Sequence, residues 1–365
     1  AFAQSAIGPL FFGFIGITFI ASLALLLHRW KDLTSAGQLN SLLSREALFL
    51  LNNLLFMLIL LVCLWGLIFP IVSELFTGQK VTFGPPWYER ITGPLFAALL
   101  FLMGVAPLSA WGHSTVKTLG RAMWKPTLVS LAVLAAALAL GVRSVGALIG
   151  FWLVGFVISI TLYDYGRAIW ARHKRTQESL PVAFWNLVGR NRRRYGGYII
   201  HLGIVLMALG IIGIEMFQTE TQGTLKTGES LSLSGYTVTF RSLAEWNNPD
   251  GRNIARAVVD VSKDGRYLGQ LAPRRDFYFD AQQSMTIPGV RSTMEDDLYL
   301  LLVDWEEFNA NQATLKLFHN PLINWLWVGS FVLILGMLVA AWPDQEPEAA
   351  VQRAAQKANG GAKTG

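Results

Sequence analysis

Residues Arg192 to Phe217 read RRRYGGYIIHLGIVLMALGIIGIEMF, and this stretch decides the fold class of the chain. Three arginines stand before about twenty predominantly apolar residues, the length of a helix that crosses a bilayer. One histidine, His201, lies inside the apolar part. An ionisable ring at that depth is energetically costly, so it usually has a partner or a ligand. The stretch therefore predicts a membrane-spanning helix that carries a ligating or paired histidine.

Glycines lie on two faces of this predicted helix. Gly197 stands four residues before His201 and shares its face, where it leaves room beside the imidazole for a flat group. Gly196, Gly203 and Gly210 recur every seven residues on another face, and such a stripe favours the close approach of a second helix. Two interpretations of His201 stay open, because the ring could bind a ligand or could be hydrogen-bonded between helices.

The composition is that of a polytopic α-helical membrane protein. The 365 residues are 53% hydrophobic and 15% charged, with a mean hydropathy of +0.41. The sequence contains no glycine-rich nucleotide-binding loop and no HExxH motif, so nucleotide chemistry and metal-dependent proteolysis have no support. A single cysteine, Cys63, stands in an apolar run and is interpreted as a packing residue.

The apolar runs predict about seven transmembrane helices and one inserted β-rich domain. We assign residues 1–216 to a six-helix transmembrane region, 217–318 to the β-rich domain, 319–342 to the seventh helix and 343–365 to a disordered cytoplasmic tail. Pro70 is expected to kink or end the second helix. The basic segment 166–194 is expected to form a loop. The predicted spans are residues 8–27, 47–72, 94–111, 126–142, 148–165, 192–217 and 321–342.

Lysines and arginines in the short loops predict the orientation. Fourteen of them fall on the side that includes Arg29 and the 166–194 segment, whereas the opposite side has Lys80, Arg90 and Arg143. The positive-inside rule then places the amino terminus and residues 217–318 in the periplasm and the tail in the cytoplasm of a bacterial inner membrane. Because the basic excess flanks the spans, no nucleic-acid partner is expected.

Strand-like sequences fill the segment 217–318. YTVTF begins at Tyr236, LYLLLVDW begins at Leu298, and Asp264-Gly265 is a hairpin signal between two such runs. A small β-barrel or β-sandwich is expected. The acidic cluster Glu295 to Asp297, followed by Asp304, Glu306 and Glu307, predicts either a docking site for a basic partner or an ordinary solvated loop.

Four blocks of sequence resemble the carboxy-terminal half of the CcmF family, the membrane subunit of the cytochrome c maturation haem lyase. The blocks are SREALFLLNNLLF from Ser44, VTFGPPWYERITGPLF from Val81, RRRYGGYIIHLGI from Arg192 and NPLINWLWVGS from Asn320. The resemblance implies a protein that takes haem from a haem chaperone and, with thioreductive subunits, attaches it to the CXXCH cysteines of apocytochrome c. It also implies that His201 is an axial ligand to the iron of a resident haem b, next to Gly197. Quinol is the implied electron source.

The chain departs from the family pattern in one respect. It lacks the family's tryptophan-rich WWD segment, the histidines that flank that segment and the second transmembrane ligand, all of which belong to the family's amino-terminal half. The chain is therefore expected to be a fragment or a split-gene product that is inactive in thioether formation without that half. The alternatives are a transporter or permease subunit and a structural scaffold with a periplasmic docking domain. The remaining histidines, interpreted as ordinary hydrated side chains, are His28, His113, His173 and His319.

Overall fold

A computed structural model describes residues 8–33, 41–305 and 311–342 of the chain. The predicted disordered tail, 343–365, lies outside the described residues. Long helices make up most of the described chain, and a β domain is inserted between the last two of them. The helices are α1 (Gly8–His28), α2 (Trp30–Leu33), α3 (Arg45–Thr77), α4 (Pro85–Val105), α5 (Val116–Ala139), α6 (Val145–Thr176), α7 (Leu180–Arg190), α8 (Arg192–Phe217) and α9 (Asn324–Ala341).

Six helices in the described part of the chain are long and apolar enough to cross a membrane. They are α3, α4 with a short 3-10 extension to Leu108, α5, α6, α8 and α9. The predicted fold class, a polytopic membrane protein with an inserted β-rich domain, is confirmed. The remaining predicted span, residues 8–27, corresponds to α1, whose fully described part, Gly13–His28, is shorter than the other six helices. That span stays a prediction.

Two expectations about helix ends are wrong: Pro70 does not end the second helix, and residues 166–194 are not a loop. The α3 helix continues through Pro70 and ends only at Thr77, where Gly78 adopts a left-handed conformation with φ of 69°. A proline removes a single backbone hydrogen bond, and long membrane helices tolerate that loss. The basic segment 166–194 is largely helical, because α6 extends to Thr176 and α7 follows it.

A charge pair stabilises the turn between α6 and α7. The guanidinium of Arg172 donates to both carboxylate oxygens of Glu178, at 2.8 and 2.9 Å. The Nδ1 atom of His173 is hydrogen-bonded to the Glu178 carbonyl, so this histidine is not simply hydrated as predicted. Ala183 on α7 is buried, whereas Trp185 is 72% exposed. This two-sided pattern is typical of a helix that lies in the membrane interface.

The predicted glycine stripe is the contact between α8 and α9. A Cβ atom on Gly196, Gly203 or Gly210 would lie 2.5 to 2.7 Å from a backbone nitrogen of α9. On the α9 side, Gly329 and Gly336 meet α8 in the same way. Glycine is required at these positions because the two backbones approach too closely for any side chain.

The β domain consists of two antiparallel sheets that share one core. The first sheet has the order β1-β10-β9-β8, and the second has the order β2-β3-β4-β6-β7 with β5 also paired to β4. Val238, Phe240, Val259, Leu300 and Leu315 contribute buried side chains to the common core. The strands are β1 (Thr219–Lys226), β2 (Ser230–Leu233), β3 (Tyr236–Asn248), β4 (Arg252–Lys263), β5 (Arg266–Leu271), β6 (Arg274–Tyr278), β7 (Gln283–Ile287), β8 (Gly289–Ser292), β9 (Asp296–Trp305) and β10 (Gln312–Pro321).

This packing of two sheets confirms the expected sandwich class. The hairpin signal is also confirmed, because Asp264 and Gly265 connect β4 to β5 with φ values of 50° and 80°. Positive φ at both central residues is the requirement of a tight type I′ turn. The alternation of buried and exposed residues along β3 and β9 explains why these strands could be recognised from the sequence.

Two residues of the acidic cluster, Asp296 and Asp297, lie neither in a solvated loop nor in an open docking site. Asp296 and Asp297 are buried. Asp296 accepts hydrogen bonds from Tyr236 at 2.8 Å and from Lys263 at 3.0 Å, and its Oδ2 lies 3.0 Å from Nε2 of His319. The prediction that His319 is an ordinary hydrated side chain is therefore wrong, because its ring is hydrogen-bonded to Asp296.

Other members of the cluster differ from these two carboxylates. Glu295 and Asp304 are exposed, and Glu306 and Glu307 lie outside the described residues. Asp297 accepts a hydrogen bond from the side-chain amide of Asn324, the first residue of α9, at 2.6 Å. Asp297 therefore connects the β domain to the beginning of a membrane helix.

We expect Asp296→Asn to destabilise the β domain at pH 7. Burial alone would raise the pKa of Asp296, but hydrogen bonds from Lys263, His319, Tyr236 and Thr293 outweigh it and lower the pKa to about 2. A drop from 3.8 to about 2 corresponds to about 2 kcal/mol of stability. This contribution is present above the unfolded pKa and is lost as the pH falls through the folded pKa.

Thermal unfolding of the full chain in detergent measures this effect. The difference in Tm between wild type and Asp296→Asn should be large at pH 7 and should shrink towards pH 2. Glu295→Gln is the matched control, since its exposed side chain is adjacent in sequence. If the difference in Tm is equal at both pH values, the stabilising role assigned to the ionised Asp296 carboxylate is contradicted.

The orientation has its own test. Reporter fusions after Lys174, near the end of α6, and after Gly265, in the β4–β5 hairpin, should report opposite sides of the membrane. The first should be cytoplasmic and the second periplasmic, because basic residues are concentrated around the first. The same side for both fusions would refute the predicted topology.

Candidate functional site

His201 lies within α8, nine residues after Arg192, or roughly 14 Å along the helix axis at ~1.5 Å per residue. Its side chain is half-buried. The centroid of the His201 ring lies 6.5 Å from the centroid of the Tyr198 ring. In residues 8–33, 41–305 and 311–342, neither imidazole nitrogen has a hydrogen-bond partner. The interpretation of His201 as a histidine hydrogen-bonded between helices therefore finds no partner in this part of the chain.

Gly197 and Gly196 are adjacent in sequence but face different surroundings. A Cβ atom on Gly197 would meet nothing within 4 Å, whereas one on Gly196 would lie 2.7 Å from the backbone nitrogen of Ala340. Gly197 thus faces open space on the side of α8 that also carries His201. An imidazole without a hydrogen-bond partner beside open space fits a flat, metal-centred ligand such as haem.

A polar cluster that sequence reasoning missed fixes α8 against α6. Asp164, which is only 5% exposed, accepts a hydrogen bond from Tyr198 at 2.6 Å and one from Arg194 at 3.0 Å. The hydroxyl group of Tyr165 donates to the backbone carbonyl of Tyr195 at 2.6 Å. The signal that could have found this cluster was Asp164 itself, because a carboxylate inside a predicted span needs a partner.

These contacts determine the direction in which His201 points. Tyr198 lies one helical turn before His201, and its bond to Asp164 holds that face of α8 against α6. The glycine stripe holds another face against α9. Because both faces are fixed, α8 has little freedom to rotate, and His201 with Gly197 is left between the two packed faces.

The remaining candidate residues do not form a second centre. His28 and His113 are exposed. Among the described residues, no three His, Cys, Asp or Glu side chains converge as a metal-ion cluster. Cys63 is exposed on α3, so it does not pack within the core of the described chain. In an apolar helix with few buried positions, an exposed residue faces lipid or a partner chain and not a core.

The comparisons with known proteins all find similarity to CcmF proteins. A family described as the CcmF C-terminal beta-sandwich matches residues 216–321. Among curated proteins, the cytochrome c-type biogenesis protein CcmF of Haemophilus influenzae is 27% identical over 324 residues, which cover 87% of this chain and 48% of that protein. CcmF of Pseudomonas fluorescens is 29% identical over 303 residues, covering 82% of this chain and 44% of that protein.

A solved structure shares the fold. The structure of a cytochrome c heme lyase CcmF superposes with a TM-score of 0.71 and 23% identity, covering 93% of this chain and 51% of that one. The chain thus spans about half the length of the curated relatives it matches. The β domain of this chain thus matches the CcmF C-terminal domain, and the chain is similar in sequence to CcmF proteins over more than four fifths of its length.

Proposed function

We propose that this chain is the haem-binding carboxy-terminal half of a cytochrome c haem lyase, and that His201 is one axial ligand of a resident haem b. One observation carries the proposal. The His201 imidazole lies within a membrane helix with no hydrogen-bond partner in the described chain, beside open space at Gly197. The names of the relatives, which refer to cytochrome c biogenesis and haem lyase, support the same role.

The chemistry of the ring favours iron coordination. A neutral imidazole is an ordinary haem ligand, and coordination offsets the cost of a polar ring in hydrocarbon. When bound, the haem supplies one-electron chemistry that side chains cannot perform, and quinol is the proposed electron source. Asp164, Tyr198 and Arg194 are positioning residues, since they hold α8 against α6 and so orient His201.

The other parts of the reaction are assigned to the amino-terminal half of the family protein. That half would supply the second axial ligand and the WWD segment, where haem from the haem chaperone meets apocytochrome c. Each CXXCH thiol then adds across a haem vinyl group, with sulfur bonded to one carbon and hydrogen to the other. The thioreductive subunits keep those thiols reduced. This chain alone would be inactive in thioether formation.

We expect His201→Ala to remove the b-type absorption spectrum of the protein co-expressed with an amino-terminal half. Loss of a direct ligand should reduce haem occupancy at least as much as the roughly tenfold loss typical of outer-shell partners. The measurement is haem per protein, from the reduced Soret and α bands. His173→Ala is the matched control, because His173 is hydrogen-bonded to a backbone carbonyl at the α6–α7 turn.

Two results would refute this role of His201. A full and unshifted haem spectrum in His201→Ala would reduce the residue to a packing histidine. If the wild-type assembly shows no reducible b-type spectrum, the haem-binding role is refuted and the transporter and scaffold alternatives remain.

Gly197→Leu should also deplete haem while leaving the protein folded. The added side chain would enter open space beside His201 and would collide with a bound macrocycle. Gly166→Leu is the control, because a Cβ atom there also meets nothing within 4 Å. Gly203→Leu should instead reduce the yield of folded protein, since its Cβ would lie 2.5 Å from the backbone nitrogen of Leu333. Haem occupancy and size-exclusion profiles distinguish loss of haem from loss of folded protein. Normal haem occupancy in Gly197→Leu would contradict the proposal that the macrocycle lies next to Gly197.

A further inference from the structure

An apolar groove lies between α5, α6 and α8, and neither His201 nor Gly197 lines it. Its volume is about 540 Å³, within the ~300–1,000 Å³ of typical small-molecule sites. Val129 and Val133 line it from α5, Gly155 and Ile158 from α6, and Leu209 from α8. The hydroxyl group of Ser159, which also lines the groove, already donates to the Gly155 carbonyl at 2.6 Å and offers no free donor.

The groove is elongated along the helices. On α6 it extends from Phe151 to Tyr163, twelve residues that span roughly 18 Å at ~1.5 Å per residue. Half of a ~30 Å hydrocarbon core is about 15 Å. The groove therefore has the length of a single acyl chain in one leaflet, and its apolar lining matches the chemistry of such a chain.

Positive charge marks one end of the groove. Lys125 and Tyr163 lie at this end, and Lys117 and Arg121 follow on the same face of α5 at spacings of four residues. All three basic residues are exposed, and in the described part of the chain none forms an ion pair with a carboxylate. Asp164, the residue after Tyr163, is already bound by Arg194 and Tyr198.

The arrangement has the features of a lipid site. The ammonium group of Lys125 lies 5.5 Å from the centroid of the Trp124 ring, and Trp124 is 53% exposed. Tryptophan and basic side chains of this kind lie at the level of lipid headgroups. Basic pockets between transmembrane helices bind anionic headgroups, and the charge here is confined to one end of an acyl-sized groove.

We propose that this groove binds one acyl chain of an anionic phospholipid whose phosphate contacts Lys125. Arg121 and Lys117 add to the positive field that selects the anionic headgroup over a zwitterionic one. The groove has no free polar group at its apolar end, so nothing there would recognise the ring of a neutral redox lipid. This site is independent of the proposed haem ligation.

Native mass spectrometry of the full chain tests the site, with phosphatidylglycerol and phosphatidylcholine of identical acyl chains as probes. We expect retention of one phosphatidylglycerol in preference to phosphatidylcholine. Lys125→Gln should lower phosphatidylglycerol retention about fivefold, the effect of one cation near an anionic headgroup. Lys80→Gln, which removes an exposed cation at the opposite predicted side, should leave retention unchanged.

A second variant tests the groove itself. Val129→Phe should reduce retention of phosphatidylglycerol by filling the groove, whereas Leu128→Phe, at an adjacent exposed residue outside the lining, should not. The proposal would be overturned by equal retention of both lipids, or by unchanged retention in Lys125→Gln or in Val129→Phe. Displacement of phosphatidylglycerol by an equimolar isoprenoid quinone would also overturn it. Circular dichroism confirms that each variant is folded.

Discussion

The direct contact between the α8 and α9 backbones is the constraint on which the remaining structure depends. Gly196, Gly203 and Gly210 allow the two helices to touch without intervening side chains. In lipid, where apolar side chains gain little from leaving the solvent, such packing is a principal source of helix association. The contact also fixes the rotation of α8, and this rotation decides which residues face α6 and which face open space.

The same two helices carry the β domain. Strand β1 begins directly after α8, and β10 ends just before α9, so both ends of the domain are held by one helix pair. Strands β1 and β10 are paired along their length, which continues the pairing of α8 with α9 into the domain. The hydrogen bond between Asp297 and Asn324 adds a side-chain connection at this junction. The domain is therefore built as an extension of the helix pair and not as a loosely tethered unit.

Much of this architecture could be predicted from sequence because its signals are local. The glycine stripe, the apolar runs and the Asp264-Gly265 turn each depend on spacings within a single element. The stripe and the turn are confirmed, and so are six of the seven predicted spans. In segment 166–194 the concentration of basic residues predicts a loop, but the segment is largely helical. Arg172 and Glu178 instead pair with each other and stabilise a helix end.

The polar clusters could not be predicted, because their members are far apart in sequence. Asp164 and Tyr198 are separated by 34 residues, and Tyr236 and Asp296 by 60. Only the fold brings them together, and an isolated carboxylate gives no indication of its partner. For the candidate site, the sequence identified His201 and Gly197, but the open space beside Gly197 and the positioning contacts of α8 required the structure.

Coordination of haem iron by the His201 imidazole can be tested by chemical rescue. His201→Gly, co-expressed with an amino-terminal half, leaves a cavity the size of the lost ring. Low-temperature electron paramagnetic resonance of the oxidised protein would be recorded with and without added imidazole. We expect the low-spin signal to be lost in the variant and to be restored by imidazole, if His201 is the iron ligand. A variant that keeps the wild-type signal in the absence of imidazole would contradict coordination by His201.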